Sequence, residues 1–581
     1  MSASHDRESN GPCLIPGAMA SPVRTNTFME TPVETFDYVI AGAGSAGCVL
    51  ANRLSADGKT TVCVLEAGPR DWLPWIHIPA GFIKTFYHPK VNWLYSMEPS
   101  EWTGGRRIHA PRGKTLGGSS SINGHVYNRG QSMDFDTWSQ FGNRGWGYQD
   151  VLPYFKRLEK RIDSGNTKAD PAFRGREGGL TVTDIDWIHP LCEAFIAGAE
   201  SLGIPRNPDY NGAKQEGVSY SQRTIYKGRR MSAARAFLHP VMSRPNLTVR
   251  TSAHATKVLL EGKRAVGIAY AKGGRGGPMT EVRARKEVIL SGGTYNSPQL
   301  LQLSGIGPAA LLQQHGIEVR HALPGVGENL KDHYAPRFVA RVKNIETINE
   351  RVRGLKLVAE VAKWTLARKG ILAQSPTLVY CFWRSHPDVA NSDLQLTFTP
   401  ASYREGVQGE LEREPGMTVA SWQQRPDSKG NVQIGSADPF AAPIINPNYL
   451  AEESDRRVLL AGMRLARRLL ASKPLEPYYE REDFPGPKVQ SDSELLGAAK
   501  ERATTTFHPA GTCRMGPASD RQAVVDDQLR VHGLEGLRVV DASIMPTMLS
   551  ANLNAATMMI ADKASDMILG KTAPEPAVLA G

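Results

Sequence analysis

One six-residue turn near the start limits what this chain can fold into more than any other feature. Phe36-Asp37-Tyr38-Val39-Ile40-Ala41, an apolar run of strand length, leads directly into Gly42-Ala43-Gly44-Ser45-Ala46-Gly47 and then into the helix-like Cys48-Val49-Leu50-Ala51-Asn52-Arg53-Leu54. In such a strand, turn and helix, Gly42 permits the tight turn, Gly44 lets backbone N–H groups approach a pyrophosphate, and Gly47 lets the helix pack on the strand. Ser45 and Ala46 open the helix whose N-terminus faces the anion. A glycine turn alone is weak, because such turns also serve purely structural ends. Here a second strand, Thr60 to Leu65, ends at Glu66, 22 residues beyond Gly44 and close to the roughly 20 expected of a ribose-binding acid. Glu66, followed by Ala67, would accept from ribose hydroxyls and repel a 2′-phosphate, which disfavours NADP. The turn does not separate FAD from NAD.

At 581 residues the chain exceeds what one hydrophobic core supports, so two or more domains are expected. No apolar run approaches the roughly 20 residues of a membrane helix. The net charge of +11 arises from Lys and Arg interleaved with Asp and Glu, which reads as a mildly basic solvated surface; no nucleic-acid partner is expected. The six cysteines have no CxxC or other paired spacing, so neither a disulfide framework nor a metal site is expected, and a cytoplasmic location is favoured. A peripheral patch could still attach the protein to a membrane. Residues 1–35 lack periodicity and any signal-like apolar core and read as a loose extension.

Two further glycine-rich segments stand out, the first able to lie against a large planar ligand or else a plain surface loop. Arg112-Gly113-Lys114-Thr115-Leu116-Gly117-Gly118-Ser119-Ser120-Ser121-Ile122-Asn123-Gly124 has little side-chain bulk to keep its backbone from a large ligand. Ser291 to Gly307 follows a strand-like Glu287-Val288-Ile289-Leu290 and looks like another turn feeding a helix. Far downstream comes Phe507-His508-Pro509-Ala510-Gly511-Thr512-Cys513-Arg514-Met515-Gly516, a Gly- and Pro-rich setting for a histidine, with Phe507 placed to keep water from one side of the ring. Histidine suits abstraction of a hydroxyl proton near neutral pH.

Taken together, these segments resemble the glucose–methanol–choline (GMC) oxidoreductase family from about Phe36 to Leu569, most nearly its bacterial choline-dehydrogenase-like and aliphatic alcohol dehydrogenases. The resemblance implies a mixed α/β (α+β) fold: a Rossmann-like FAD-binding domain and a substrate domain with an antiparallel sheet. Its boundaries would be 36–335 for most of the FAD domain, 336–500 mainly for the substrate domain, 501–570 for a C-terminal return carrying the catalytic pair, and 571–581 for a tail. The implied cofactor contacts are Gly42, Gly44, Ser45, Ala46, Gly47, Glu66 and Ala67 on the ADP half. Gly118, Ser119, Asn123, Gly124 and Val126 would lie beside the flavin and ribityl, Val258 near the adenine, and Asp541, Ala542, Asn552 and Thr557 near the centre. Where some relatives carry a histidine bonded to the flavin, this chain has Ile122, so FAD is expected to be non-covalent.

The resemblance makes His508 the base and gives its partner position to Asn552, just before a helix read over Ala556 to Ile568. Asn554 is the alternative partner, or else a helix N-cap. Asn552 would orient an alcohol oxygen, His508 take its proton, and hydride pass to flavin N5. The expected reaction is oxidation of a primary alcohol to the aldehyde. Choline-specific dehydrogenation is the runner-up, and a cyanohydrin lyase or fatty-acid photodecarboxylase activity on the same fold is a further alternative. The electron acceptor, a quinone, oxygen or a redox protein, is left open. Alternation in Asp393 to Thr399 and Gly430 to Gly435 suggests antiparallel strands with one buried face forming the back wall of a pocket. Trp72, Trp75, Tyr380, Phe382, Trp383 and Trp422 are candidates to face the flavin, against the plainer reading that they are core.

Overall fold

The computed structural model describes residues 33–164, 169–404 and 410–579. All but the last three residues of the extension read over 1–35 lie outside this range, and Thr35 already belongs to the first strand. That strand, β1 (Thr35–Ala41), runs into α1 (Ser45–Leu54) and then β2 (Val62–Leu65), as hydrophobic runs broken by a glycine turn dictate. On its other side β1 pairs in parallel with β3 (Met279–Leu290). Leu247–Arg250 and Leu537–Val539 extend the parallel core at its two ends. The twelve-residue β3 serves two arrangements: its last residues sit in the parallel core, while its first half pairs antiparallel with Arg264–Lys272, which in turn pairs with Ala253–Glu261. Every residue of β2 is buried, as a central parallel strand covered on both faces requires.

A second, antiparallel sheet is built around β4 (Arg337–Val342), β5 (Val379–Trp383), β6 (Leu394–Thr399) and β7 (Gly416–Gln423), with Tyr479–Phe484 and Gly217–Tyr220 at its edges. Gly217–Tyr220 comes from within the 36–335 stretch. Between β4 and β5 the chain forms α2 (Gly354–Ala367), and beyond β7 it forms α3 (Glu453–Leu470). The strands alternate with period two. Leu394, Leu396, Phe398, Met417 and Val419 join the core against Leu459, Met463, Ala466 and Leu470 of α3. The opposite face is also buried, contrary to the expectation of a single buried face, because it abuts the nucleotide-binding half across a cavity. Gly430 to Gly435 departs further: Asn431–Gln433 pairs only with Ile444–Asn446 and is not part of this wall.

The C-terminal helix α4 (Asn554–Ile568) closes the molecule by packing along α1. Asp562, fully buried, accepts from Arg53 Nε at 2.5 Å and Arg157 Nε at 2.7 Å. A buried carboxylate needs such partners, and these tie the end of the chain to its beginning. Asn554 is the first residue of the helix and not its N-cap; its side-chain Oδ1 accepts from Ser45 Oγ at 2.8 Å, a second link between the two ends.

Candidate active site

The three glycines of the first turn are distinguished by what a side chain would meet there. Gly42 has φ +104°, and a Cβ on it would stand 2.4 Å from the Ser291 carbonyl oxygen; on Gly47 it would stand 1.9 Å from the Gly42 carbonyl oxygen. Both contacts are impossible, so these two residues make the turn and the helix-to-strand contact. At Gly44 the nearest heavy atom would be 3.9 Å away, leaving a bare backbone facing open space. Gly118, also left-handed, comes so near that a Cβ on it would stand 2.7 Å from Gly44 Cα. The Arg112 to Gly124 loop is thereby laid directly on the first turn. Glu66 is buried, accepts from the Ala43 and Gly68 N–H groups at 3.0 and 2.8 Å, and is pushed up by burial to about 7.

A continuous cavity of about 760 Å³ runs from this cradle to the C-terminal histidine. Of the residues singled out in the sequence, Gly42, Gly44, Ser45, Ala46, Glu66, Ala67, Gly118, Ser119, Asn123, Gly124, Val126, Asp541, Ala542, Asn552, Thr557 and His508 all border it. Two do not. Gly47 packs behind the turn, and Val258 points into the core with its N–H donated to Ser304 Oγ at 2.8 Å; on that strand Ala253, His254 and Ala255 line the cavity instead. Asp541 organises the middle of the cavity, accepting from the Gly293 N–H at 2.8 Å, Ser297 Oγ at 2.6 Å and the Ser543 N–H at 2.8 Å. A long cavity with an open glycine backbone, a buried acid at one end and N–H groups at the start of α1 fits an extended dinucleotide.

At the far end, His508 and Asn552 meet: Asn552 Nδ2 lies 2.9 Å from His508 Nε2. Phe507 takes a left-handed φ of +69° and is held there by Arg112, which donates to its carbonyl at 2.8 Å. Asp332 fixes the adjoining backbone, accepting from the N–H groups of His508 at 2.8 Å and His333 at 2.9 Å. Phe507 packs its ring on Phe86 at 5.4 Å and borders the cavity, whereas the rings that meet the His508 imidazole are His333 and Trp422.

The hydrogen bonds assign the imidazole tautomers. His333 Nε2 lies 2.7 Å from the Gln424 carbonyl, which only accepts, so this nitrogen carries the proton. Burial pushes His333 down to about 4, so its ring is neutral and Nδ1 is an acceptor. His508 Nδ1, 3.0 Å from His333 Nδ1 and 2.7 Å from Thr506 Oγ1, therefore donates. That leaves His508 Nε2 without a proton, the form a general base requires. Burial, His333 and Arg112 together hold His508 well below the ordinary imidazole range. The Asn552 amide is oriented in turn by Tyr380, whose hydroxyl donates to Oδ1 at 3.0 Å, leaving Nδ2 to donate toward His508.

The aromatic candidates divide. Tyr380 and Trp422 border the cavity, Trp422 6.4 Å from His508 with its Nε1 buried and without a partner among the described residues. Phe382 is core, packed on Tyr210 and Tyr380. Trp72 and Trp75 do not face the cavity at all but stand on the surface, and Trp383 lies outside the cavity lining. His333, Thr506, Asp332 and the orienting hydroxyl of Tyr380 were not found by sequence reasoning, since each acts through a contact spanning well over a hundred residues or through backbone shape. Thr506, two residues before His508, was the one within reach of a local reading.

The chain matches the GMC oxidoreductase family over residues 36–335 and again over 426–561. It belongs to the GMC oxidoreductase family. It is 42% identical over 542 residues to an alcohol dehydrogenase [acceptor] of Pseudomonas putida, covering 92% of this chain and 96% of that enzyme. Identity to an oxygen-dependent choline dehydrogenase of Staphylococcus xylosus is 41% over 549 residues, with coverage of 94% and 96%. Among solved structures, a formate oxidase of Aspergillus oryzae RIB40, described in connection with FAD modification, superposes with a TM-score of 0.85 at 28% identity, covering 92% of this chain and 98% of that one. The fold pairs a Rossmann-like half with an antiparallel half.

Proposed function

We propose that this GMC oxidoreductase oxidises a primary alcohol to the aldehyde, with FAD held non-covalently in the long cavity. FAD, when bound, supplies the two-electron acceptor for the carbinol hydride. The residues that would hold it are Gly44, Ser45, Glu66, Gly118, Ser119 and Asn123, with Asp541, Ala542 and Thr557 nearer the reacting end. The observation that supports the reading is the pairing of His508 Nε2 with Asn552 Nδ2 at 2.9 Å on the cavity wall, with hydrogen bonds that leave Nε2 as the acceptor. A substrate hydroxyl entering between His508 and Asn552 would receive a hydrogen bond from Asn552 Nδ2 and give its proton to Nε2. Trp422, 6.4 Å from His508, would help keep water from that exchange. Mixing the FAD-loaded protein with a panel of alcohols without oxygen tests this directly, through loss of the yellow absorbance. A panel that leaves the colour unchanged would remove alcohol oxidation from consideration.

The substrate wall favours a neutral or anion-bearing alcohol over choline. Arg337, Val339, Thr397, Thr399, Thr418 and Ala420 face the cavity from the antiparallel sheet, and the Arg337 guanidinium has no ion-pair or hydrogen-bond partner among the described residues. The acids among the described lining residues are Glu66 and Asp541 at the cofactor end and Glu501 on an exposed helix end. A quaternary ammonium in the cavity would thus meet Arg337 on the sheet wall, while Asp332, the carboxylate nearest His508, is buried and off the cavity lining. Choline is expected to bleach the flavin at least about tenfold more slowly than a primary aliphatic alcohol of similar size, about 1.4 kcal/mol in the barrier; equal rates would overturn this preference.

Two further outcomes follow from the same side chains. Because His508 is held low, kcat/KM for an alcohol should stay flat as pH falls through 6.5 and decline only below it; an acid limb centred above 6.5 would contradict a neutral, desolvated base. Tyr380→Phe should release the Asn552 amide and lower the bleaching rate by about tenfold, the worth of one orienting hydrogen bond, with FAD content unchanged. As for the cofactor, Ile122 borders the cavity as a hydrocarbon, and acid denaturation should release all of the FAD into solution.

A further inference from the structure

Helix α2 is built the wrong way round for a surface in water. Its one buried residue is Glu360, which accepts from the Ile371 N–H at 2.8 Å, and Trp364 on the same side donates from Nε1 to the Gly228 carbonyl at 2.9 Å. Leu355, Val358, Ala359, Ala362 and Leu366 recur at helical spacing on the opposite side. A surface helix normally turns such a stripe to the core. Here it points outward, with Leu355 and Leu366 each 87% exposed and Val358 63% exposed.

The neighbouring surface has the same character. Trp364 fixes α2 to the turn at Gly228, and Arg230 in that turn donates to the Ile76 carbonyl at 2.7 Å. Ile76 lies in the short helix Pro74–His77, whose Trp75 is exposed and which follows Trp72, 76% exposed. Interspersed with these apolar groups are Lys227, Arg229, Lys363 and Lys369, all exposed and without a carboxylate partner among the described residues. Arg70 stacks on Trp72. Exposed leucines and tryptophans surrounded by unpaired cations match a layer that is apolar within and negatively charged at its surface. Two copies meeting through this face would oppose like charges.

We propose that α2 and the Trp72 to Trp75 segment dock the protein on an anionic lipid bilayer, leucines and tryptophans entering the interface and lysines reaching lipid phosphates. Both segments lead straight to the cavity. Just beyond α2 and the turn Ile371–Ala373 the chain reaches Pro376, and beyond Trp75 it reaches Phe82, Phe86 and Tyr87; these four residues border the cavity. Docked in this way, the cavity-lining segments lie next to the lipid, and an alcohol or acceptor dissolved in the bilayer has a short route to the site.

Sedimentation of the full-length, FAD-loaded protein with vesicles tests the proposal without turnover, so it stands or falls separately from the alcohol reading. The parent should pellet with vesicles of equal parts phosphatidylcholine and phosphatidylglycerol, far less with phosphatidylcholine alone, and less as salt is raised. The double variant Leu355→Ser/Leu366→Ser should lose about 100-fold in partitioning while its alcohol-dependent bleaching in solution is unchanged. Lys363→Glu/Lys369→Glu should lose the preference for phosphatidylglycerol. A parent that stays in the supernatant with both vesicles, a double leucine variant that pellets as the parent does, or a parent dimer in sedimentation velocity that the leucine variant converts to monomer would each overturn it; the last would mark the face as a self-interface.

Discussion

His508→Ala is expected to keep its FAD and its fold yet to bleach at least about 100-fold more slowly with any alcohol the parent accepts, the loss typical of a positioned general base. The reason lies in a relay of five groups. Gln424 accepts from His333, His333 accepts from His508, and Asn552, oriented by Tyr380, donates to the opposite ring nitrogen. Removing the imidazole removes the acceptor for the hydroxyl proton but touches none of the groups that border the nucleotide cradle. Anaerobic stopped-flow absorbance reads the rate and the yellow colour of the resting protein reads cofactor content. Equal rates in variant and parent would take His508 out of the mechanism. His333→Gln, which replaces the acceptor for His508 Nδ1 with an amide, should fall between the two, and its loss should lie in kcat more than in KM because His333 positions the base without bordering the cavity.

The second large effect is a contrast between two glycines of one turn. In Gly47→Ala the new methyl would stand 1.9 Å from the Gly42 carbonyl oxygen, so either the turn opens or α1 leaves β1. A backbone clash within a buried element costs about 3 kcal/mol or more, and the variant should melt well below the parent or fail to accumulate as soluble protein. Gly44→Ala meets nothing closer than 3.9 Å and should melt at the temperature of the FAD-free parent. Its methyl occupies space the dinucleotide backbone would need, so it should be isolated with little or no yellow cofactor. Thermal melting and the ratio of flavin to protein absorbance separate the two. If Gly44→Ala takes up FAD as well as the parent does, the cradle has been assigned to the wrong turn.

Much of this was legible in the sequence because it is local. The turn from Gly42 to Gly47, the strand ending at Glu66 and the helix before Ile568 are set by hydrophobic spacing and by glycines with no substitute, and each appears within a residue or two of where the sequence predicts it. That His508 and Asn552 meet is not local, and it was reached through a family resemblance and not from spacing. What stayed hidden depends on long-range contacts. His333 lies 175 residues from His508, and nothing in Leu330-Lys331-Asp332-His333 marks it as the partner of a C-terminal ring. Asp393 to Thr399 alternates as a strand with one dry face would, but its threonines border a cavity between two halves of the molecule, so both faces are buried. Trp72 and Trp75 illustrate the converse error: large aromatics are usually interior, and these two are not, which is itself the first sign of an unusual surface.

The central claim is that the carboxamide and imidazole of the C-terminal return share one cavity with the N-terminal glycine cradle. A crystal structure of the yellow protein tests it most directly. The account predicts dinucleotide density along Gly44 and Glu66, with the isoalloxazine lying between the Gly118 to Asn123 loop and the His508 and Asn552 side chains. Density that leaves the ring elsewhere, or side chains of His508 and Asn552 turned from its face, would contradict it.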